Sequence, residues 1–167
     1  GSDRTLKLEN ECDPIDYSNV KADGHIVSPI FHEISDDVFK NIKDDSNFLF
    51  VDPQGFLRQK DSENNIVLKK TELDLTNVDA IKINPEEGKN IVDGTPDEMM
   101  LALQKKGIEY VLLTDKVNVS LLVKNRIYSL KLPNKTVHDT TGIGDIFCST
   151  FTCTMLKEKD FLWALCF

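Results

Sequence analysis

The chain has 167 residues, 40% of them hydrophobic, with a formal net charge of −8 and a pI near 4.9. That is one domain by length, with enough apolar residues for a sizeable core. The acidic balance argues against nucleic acid or an anionic membrane as partner, since both need a positive field, but a local loop can still hold a phosphate against the global sign.

Residues 4–8 alternate polar and apolar, as a short half-exposed strand does, and residues 10–23, with Pro14, read as a loop. A regular rhythm follows. Residues 24–28 (GHIVS) predict a strand that stops at Pro29, and Ser35 with Asp36 and Asp37 caps a short helix through Ile42. Residues 48–52 (FLFVD) are a second buried strand, stopped by Pro53 and Gly55. Residues 56–79 are mixed and charged, with one weak strand at 66–68, and residues 80–84 (AIKIN) form a third buried strand. Thr95, Pro96 and Glu98 spell a capping box with proline at the first helical position, for a helix that runs to Lys106 and stops at Gly107. Residues 110–114 (YVLLT) are a fourth strand, and 117–123 with 127–132 read as a hairpin across Lys124, Asn125 and Arg126. Asp160 caps a final apolar segment, Phe161 to Phe167, which reads as a buried helix.

Nearly continuous apolar strands separated by helices predict a mainly parallel sheet covered on both faces. In such sheets ligands bind beyond the carboxyl ends of the strands. Polar residues stand at those ends: Ser28, Asp52, Asn84 and Thr114.

Residues 139–145 read Asp-Thr-Thr-Gly-Ile-Gly-Asp, and an apolar helix follows with Phe147, Phe151 and Met155 four apart. Gly142 and Gly144 allow a tight turn and close approach to a ligand. Successive N–H groups at a helix N-terminus form an anion site, and Asp145 at that terminus is suited to take a proton from an attacking hydroxyl. Taken alone, a G-x-G-D segment reads more readily as a turn with a helix-capping carboxylate. It is not a Walker A loop, whose G-x-x-x-x-G-K-[ST] pattern is absent.

The segment D-T-T-G-I-G-D-I-F resembles the D-T-x-G-A-G-D-x-F signature of the ribokinase-type (PfkB) family of small-molecule kinases, with Ile143 in place of the usual alanine. Asn84-Pro85-Glu86-Glu87 resembles the family's N-x-x-E motif, Asp52-Pro53-Gln54-Gly55 its D-x-x-G, and Ser28-Pro29 through Glu33 its strand-end segment before the first helix of this half. The resemblance runs in the correct order from about Arg4 onward. It implies a three-layer α/β/α fold truncated at both ends, with residues 1–23 a remnant of lid strand and linker and residues 24–167 an incomplete nucleotide-binding core.

The resemblance also implies roles. Asp145 would be the general base, and the N–H groups of Gly142, Ile143 and Gly144 would stabilise charge on the transferred phosphoryl group. Asn84 and Glu87 would place Mg²⁺ and its waters near the phosphates of ATP. Asp139 and Thr141 match positions that bind a monovalent cation such as K⁺ in some members, although a purely structural turn role accounts for them equally well. Thr114 would contact nucleotide. The activity implied is Mg-ATP-dependent phosphorylation of a hydroxyl on a sugar, polyol or nucleoside, in the cytoplasm, with room for a homodimer of the full-length protein.

Two departures bear on this. The family's T-x-G-x-x-G after the fourth strand is here Thr114-Asp115-Lys116-Val117-Asn118-Val119, without either glycine, so Asp115 puts a carboxylate where a backbone would approach phosphate or ribose. The family's lid and acceptor contacts lie in an N-terminal half that this sequence does not match, so the polypeptide is expected to be weak or inactive alone. A non-catalytic nucleotide-binding or interaction module on the same fold is the rival reading. Kinases of pyrimidine cofactor synthesis share the fold but typically carry cysteine at the base position, where this chain has Asp145.

The remaining candidates are modest. Cys12, Cys148, Cys153 and Cys166 form no C-x-x-C pair, and His25, His32 and His138 share no metal-ligand spacing. Cys148 and Cys153 read as small core residues kept reduced. Lys69-Lys70 and Lys105-Lys106 read as solvated faces, and Arg58, just after the D-P-Q-G turn, is a minor candidate for a contact to phosphate or substrate.

Overall fold

A computed structural model describes residues 6–133 and 142–167. Six strands form one sheet: β1 (His25–Val27), β2 (Leu49–Val51), β5 (Ala80–Ile83), β6 (Tyr110–Thr114), β7 (Asn118–Val123) and β8 (Arg126–Lys131), in that spatial order. The first four run parallel, and β7 and β8 turn back antiparallel. A small second sheet pairs β3 (Arg58–Lys60) with β4 (Ile66–Leu68), and Lys7 bridges to Asn65 beside it. The helices are α1 (Asp36–Asp45), α2 (Gln54–Leu57), α3 (Pro85–Lys89), α4 (Pro96–Lys105), α5 (Ile143–Glu158) and α6 (Phe161–Cys166).

Strand alternation divides the core into two layers. Leu49, Val51, Ile81, Ile83, Val111 and Leu113 face α1 to α4, burying Phe39, Phe56, Met99 and Leu103 with them. Phe50, Ala80, Leu112 and Leu121 face the other way, onto Cys148, Phe151 and Met155 of α5 and Ala164 and Leu165 of α6. The result is the expected three-layer α/β/α arrangement. No described helix is long and apolar enough to cross a membrane.

The caps are those written in the sequence. Ser35 Oγ accepts the Val38 N–H, and Thr95 with Glu98 forms a complete capping box under Pro96. Helices α2 and α3 and strand β3 have no counterpart in the sequence reading, and other details differ from it. The hairpin turn has two residues, Lys124 and Asn125, both at positive φ (49° and 59°), so β8 begins at Arg126. That is the twist a two-residue hairpin prefers. Helix α1 continues past Ile42 to Asp45. Helix α6 buries Ala164 and Leu165, while Trp163 and the C-cap Phe167 are exposed. Cys153 is exposed, because it lies on the outer side of α5, and only Cys148 is a core residue.

Candidate active site

Because β1, β2, β5 and β6 are parallel neighbours, their carboxyl ends lie side by side. Ser28, Asp52 and Asn84 each follow the last residue of a strand, and Thr114 is the last residue of β6. The four polar residues singled out in the sequence therefore form one edge. Ser28, Asp52, Lys82 and Thr114 share the parity of the residues that face α5.

The N-terminus of α5 sits over that edge. Gly142 is the N-cap, in the left-handed region at φ +79°, where a side chain would be strained. Its carbonyl accepts the Ile146 N–H at 2.9 Å. The N–H groups of the first turn have no intrahelical acceptor and carry the positive end of the helix dipole. Asp145 is exposed on that turn, and Ser28 Oγ donates to its Oδ1 at 3.1 Å.

Beneath the turn lies a buried ion pair, in which the Lys82 ammonium donates to Asp52 Oδ2. A Cβ on Gly144 would stand 3.1 Å from Lys82 Nζ and 3.6 Å from Asp52 Oδ2, so glycine lets the helix ride on the pair. Burial works against the Lys82 charge, but Asp52 overcomes it and holds the ammonium above its ordinary range. One turn along α5, burial and then the Asp52 carboxylate push the Cys148 thiol up to about 12, so it is an inert core group.

Asn84 and Glu87 form a reciprocal capping box at α3. Asn84 Oδ1 accepts the N–H groups of Glu86 and Glu87 at 2.9 Å each, and the Asn84 N–H donates to Glu87 Oε2 at 2.9 Å. Glu87 is 1% exposed, and its carboxyl is raised above the usual range by burial, with Lys82 opposing and Asp52 adding to the rise. Gln54 Nε2 approaches its other oxygen at 3.5 Å. Arg58 Nη1 donates to the Ile30 carbonyl at 3.1 Å; burial holds its half-buried guanidinium below the ordinary range, and the nearby carboxylates of Glu87, Asp52 and Glu33 counter that lowering.

A groove of about 570 Å³ runs between residues 84–86 and residues 114–117. Asp115 organises its far wall. Its Oδ1 accepts the N–H groups of Val117 and Asn118 at 2.7 Å each, which lowers its carboxyl below the usual range. The side chain thus closes a turn that the backbone would otherwise leave open to a ligand.

No family model and no curated protein sequence matches the chain. Solved structures do. A pyrophosphate-dependent kinase in the ribokinase family, solved with a pyrophosphate analog and myo-inositol, superposes at a TM-score of 0.82 with 20% identity, over 98% of this chain and 62% of that one. Ribokinase of Thermotoga maritima superposes at 0.66 with 18% identity, over 84% of this chain and 45% of that one. The fold is that of the ribokinase-type kinases. The chain spans about three fifths of the length of the first of these structures.

Within that ribokinase-type fold, the structure brings Asp145, Gly142, Ile143, Gly144, Asn84, Glu87, Thr114 and Asp115 to the carboxyl edge of the sheet. Asp139, Thr141 and His138 lie outside the described residues. Among the described residues no three His, Cys, Asp or Glu side chains converge as a metal site. Sequence reasoning missed Lys82 as a site residue, although a lysine inside a four-residue strand that is otherwise apolar is itself a signal that an anionic partner stands on a neighbouring strand. It also missed the bond from Ser28 to Asp145, for which no local pattern exists.

Proposed function

We propose that this chain supplies the donor-binding and proton-accepting half of a phosphotransferase that acts on a hydroxyl of a sugar, polyol or nucleoside. The observation that carries the reading is Asp145 on the first turn of α5, beside the N–H groups of Gly142, Ile143 and Gly144 and above the cationic Lys82. The acceptor hydroxyl gives its proton to Asp145 as its oxygen attacks phosphorus. The bond from phosphorus to the leaving oxygen of the donor breaks, and the first-turn N–H groups balance the charge on the transferred phosphoryl oxygens.

Asn84 and Glu87 fit a directly bound Mg²⁺ poorly, because the carboxamide oxygen and one carboxylate oxygen are committed to the capping box and Glu87 is buried. Mg²⁺ keeps much of its water and is bound largely through substrate phosphates. Mg²⁺ would come bound to the donor phosphates and supply charge neutralisation there, and Asp139 and Thr141 would be the residues to hold K⁺. ATP would lie in the groove between Asn84 and Asp115, with Thr114 beside it. A second donor, inorganic pyrophosphate, is favoured by the Asp115 turn, whose Val117 and Asn118 N–H groups are already committed to the Asp115 carboxylate. The likeness to a pyrophosphate-dependent kinase over 98% of the chain supports the same donor.

The test is phosphoryl transfer by the longest natural polypeptide containing this sequence, with ATP or pyrophosphate, against a panel of sugars, polyols and nucleosides. Asp145→Asn should lower kcat by about 10²–10⁴-fold, the range of a general base, while the protein stays folded. Donor binding without turnover on any acceptor would favour a non-catalytic module. Turnover that survives Asp145→Asn would remove Asp145 from the chemistry.

A further inference from the structure

Ser28 has no role in the chemistry described so far, yet it is the described residue that holds the proposed base. We infer that Ser28 is a positioning residue for Asp145, fixing one carboxylate oxygen so that the other meets the acceptor hydroxyl. The inference rests on the reading of Asp145 as base.

The backbone around Ser28 is clamped on both sides. The Val27 carbonyl before it accepts the Asp52 N–H at 2.8 Å, which ties the end of β1 to β2. Pro29 after it is buried, with φ fixed by its ring, and packs so closely on α2 that a Cβ on Gly55 would lie 2.2 Å from the Pro29 carbonyl oxygen. Strand alternation then points the Ser28 hydroxyl to the α5 face, where it donates to Asp145 Oδ1 at 3.1 Å. The helix is fixed in turn by Gly144 on the Asp52 and Lys82 pair, and at its far end by Leu156, whose Cδ1 lies 3.0 Å from the Cβ position of Gly24.

A rigid donor thus meets a carboxylate on an anchored turn. An exposed aspartate without it samples several χ1 rotamers, which aim Oδ2 in different directions. Loss of the hydroxyl therefore acts on the rate of the chemical step rather than on donor or acceptor binding.

The experiment compares wild type, Ser28→Ala and Ser28→Thr in the same polypeptide, with two readouts. Ser28→Ala should lower kcat by about 10²-fold, the scale of a misplaced catalytic group, with KM values nearly unchanged. Ser28→Thr should restore kcat, and Ser28→Ala should add no loss in an Asp145→Asn background. Independently of turnover, NMR couplings of Asp145 should report one χ1 rotamer in wild type and Ser28→Thr and an averaged one in Ser28→Ala. If no form phosphorylates any acceptor but χ1 behaves this way, the kinase reading fails while the hold of Ser28 on Asp145 stands. An unchanged χ1 in Ser28→Ala, or an averaged χ1 with unchanged kcat in an active enzyme, overturns the inference.

Discussion

Lys82 and Asp52 face each other from adjacent strands and are almost wholly shielded from solvent. Taking two charges out of water costs more than a surface pair recovers, so the pair tolerates joint replacement far better than the loss of one partner. Lys82→Met alone should destabilise the fold by about 3–5 kcal/mol, and adding Asp52→Leu should recover most of it. Urea unfolding of the single and double variants checks this, and an innocuous single variant would mean that Asp52 finds another partner or water. Glu87 offers a pH signature. Its carboxyl is raised above its ordinary value of 4.5, chiefly by burial, so over a window above that value the folded chain keeps a proton that the unfolded chain has released. The contribution of Glu87 is therefore whole below pH 4.5 and is lost as pH rises through the folded value. Glu87→Gln keeps the capping box, so its stability relative to wild type should grow as pH rises to neutrality. A difference that stays flat with pH would contradict the raised carboxyl.

At the scale of elements, short-range chemistry was readable wherever it was written in one place. Thr95-Pro96-Asp97-Glu98 announces the start of α4, and the strand ends fall within a residue or two of their predicted positions. Asn84-Pro85-Glu86-Glu87 follows the same grammar and does cap α3, although as a motif it reads first as a ligand set. Helix α2 is a single turn, too short to show a period, and strand β3 is the wholly polar Arg58-Gln59-Lys60, which carries no apolar signal. The turn between β7 and β8 carries its own prediction. Lys124 and Asn125 both occupy the left-handed region, which costs a non-glycine residue about 1–2 kcal/mol, less for asparagine. Asn125→Gly should raise stability by up to about 1 kcal/mol, seen as a higher urea midpoint, and a lower midpoint would show that the Asn125 side chain stabilises the turn.

Across the whole molecule, alternation sorts Phe50, Asp52, Ala80 and Lys82 onto one face of their strands, which the sequence does express. That β2 lies beside β5, so that Asp52 meets Lys82, is a property of strand order and is written nowhere locally. The same holds for Ser28 and Asp145, which are 117 positions apart. The four strand-end residues were legible because parallel topology alone brings such ends together.

That separation has a consequence for how the chain acquires its chemistry. Contacts between distant segments are formed only after loop-closure entropy has been overcome, and they set the pace of folding in sheets of this kind. The edge made by β1, β2, β5 and β6 is assembled from successive segments, whereas α5 must return to the first of these strands, with Leu156 against Gly24 at one end and Asp145 against Ser28 at the other. Pairing of these four strands therefore precedes the arrival of the base, and a state with the strands paired but α5 undocked is structured yet chemically silent.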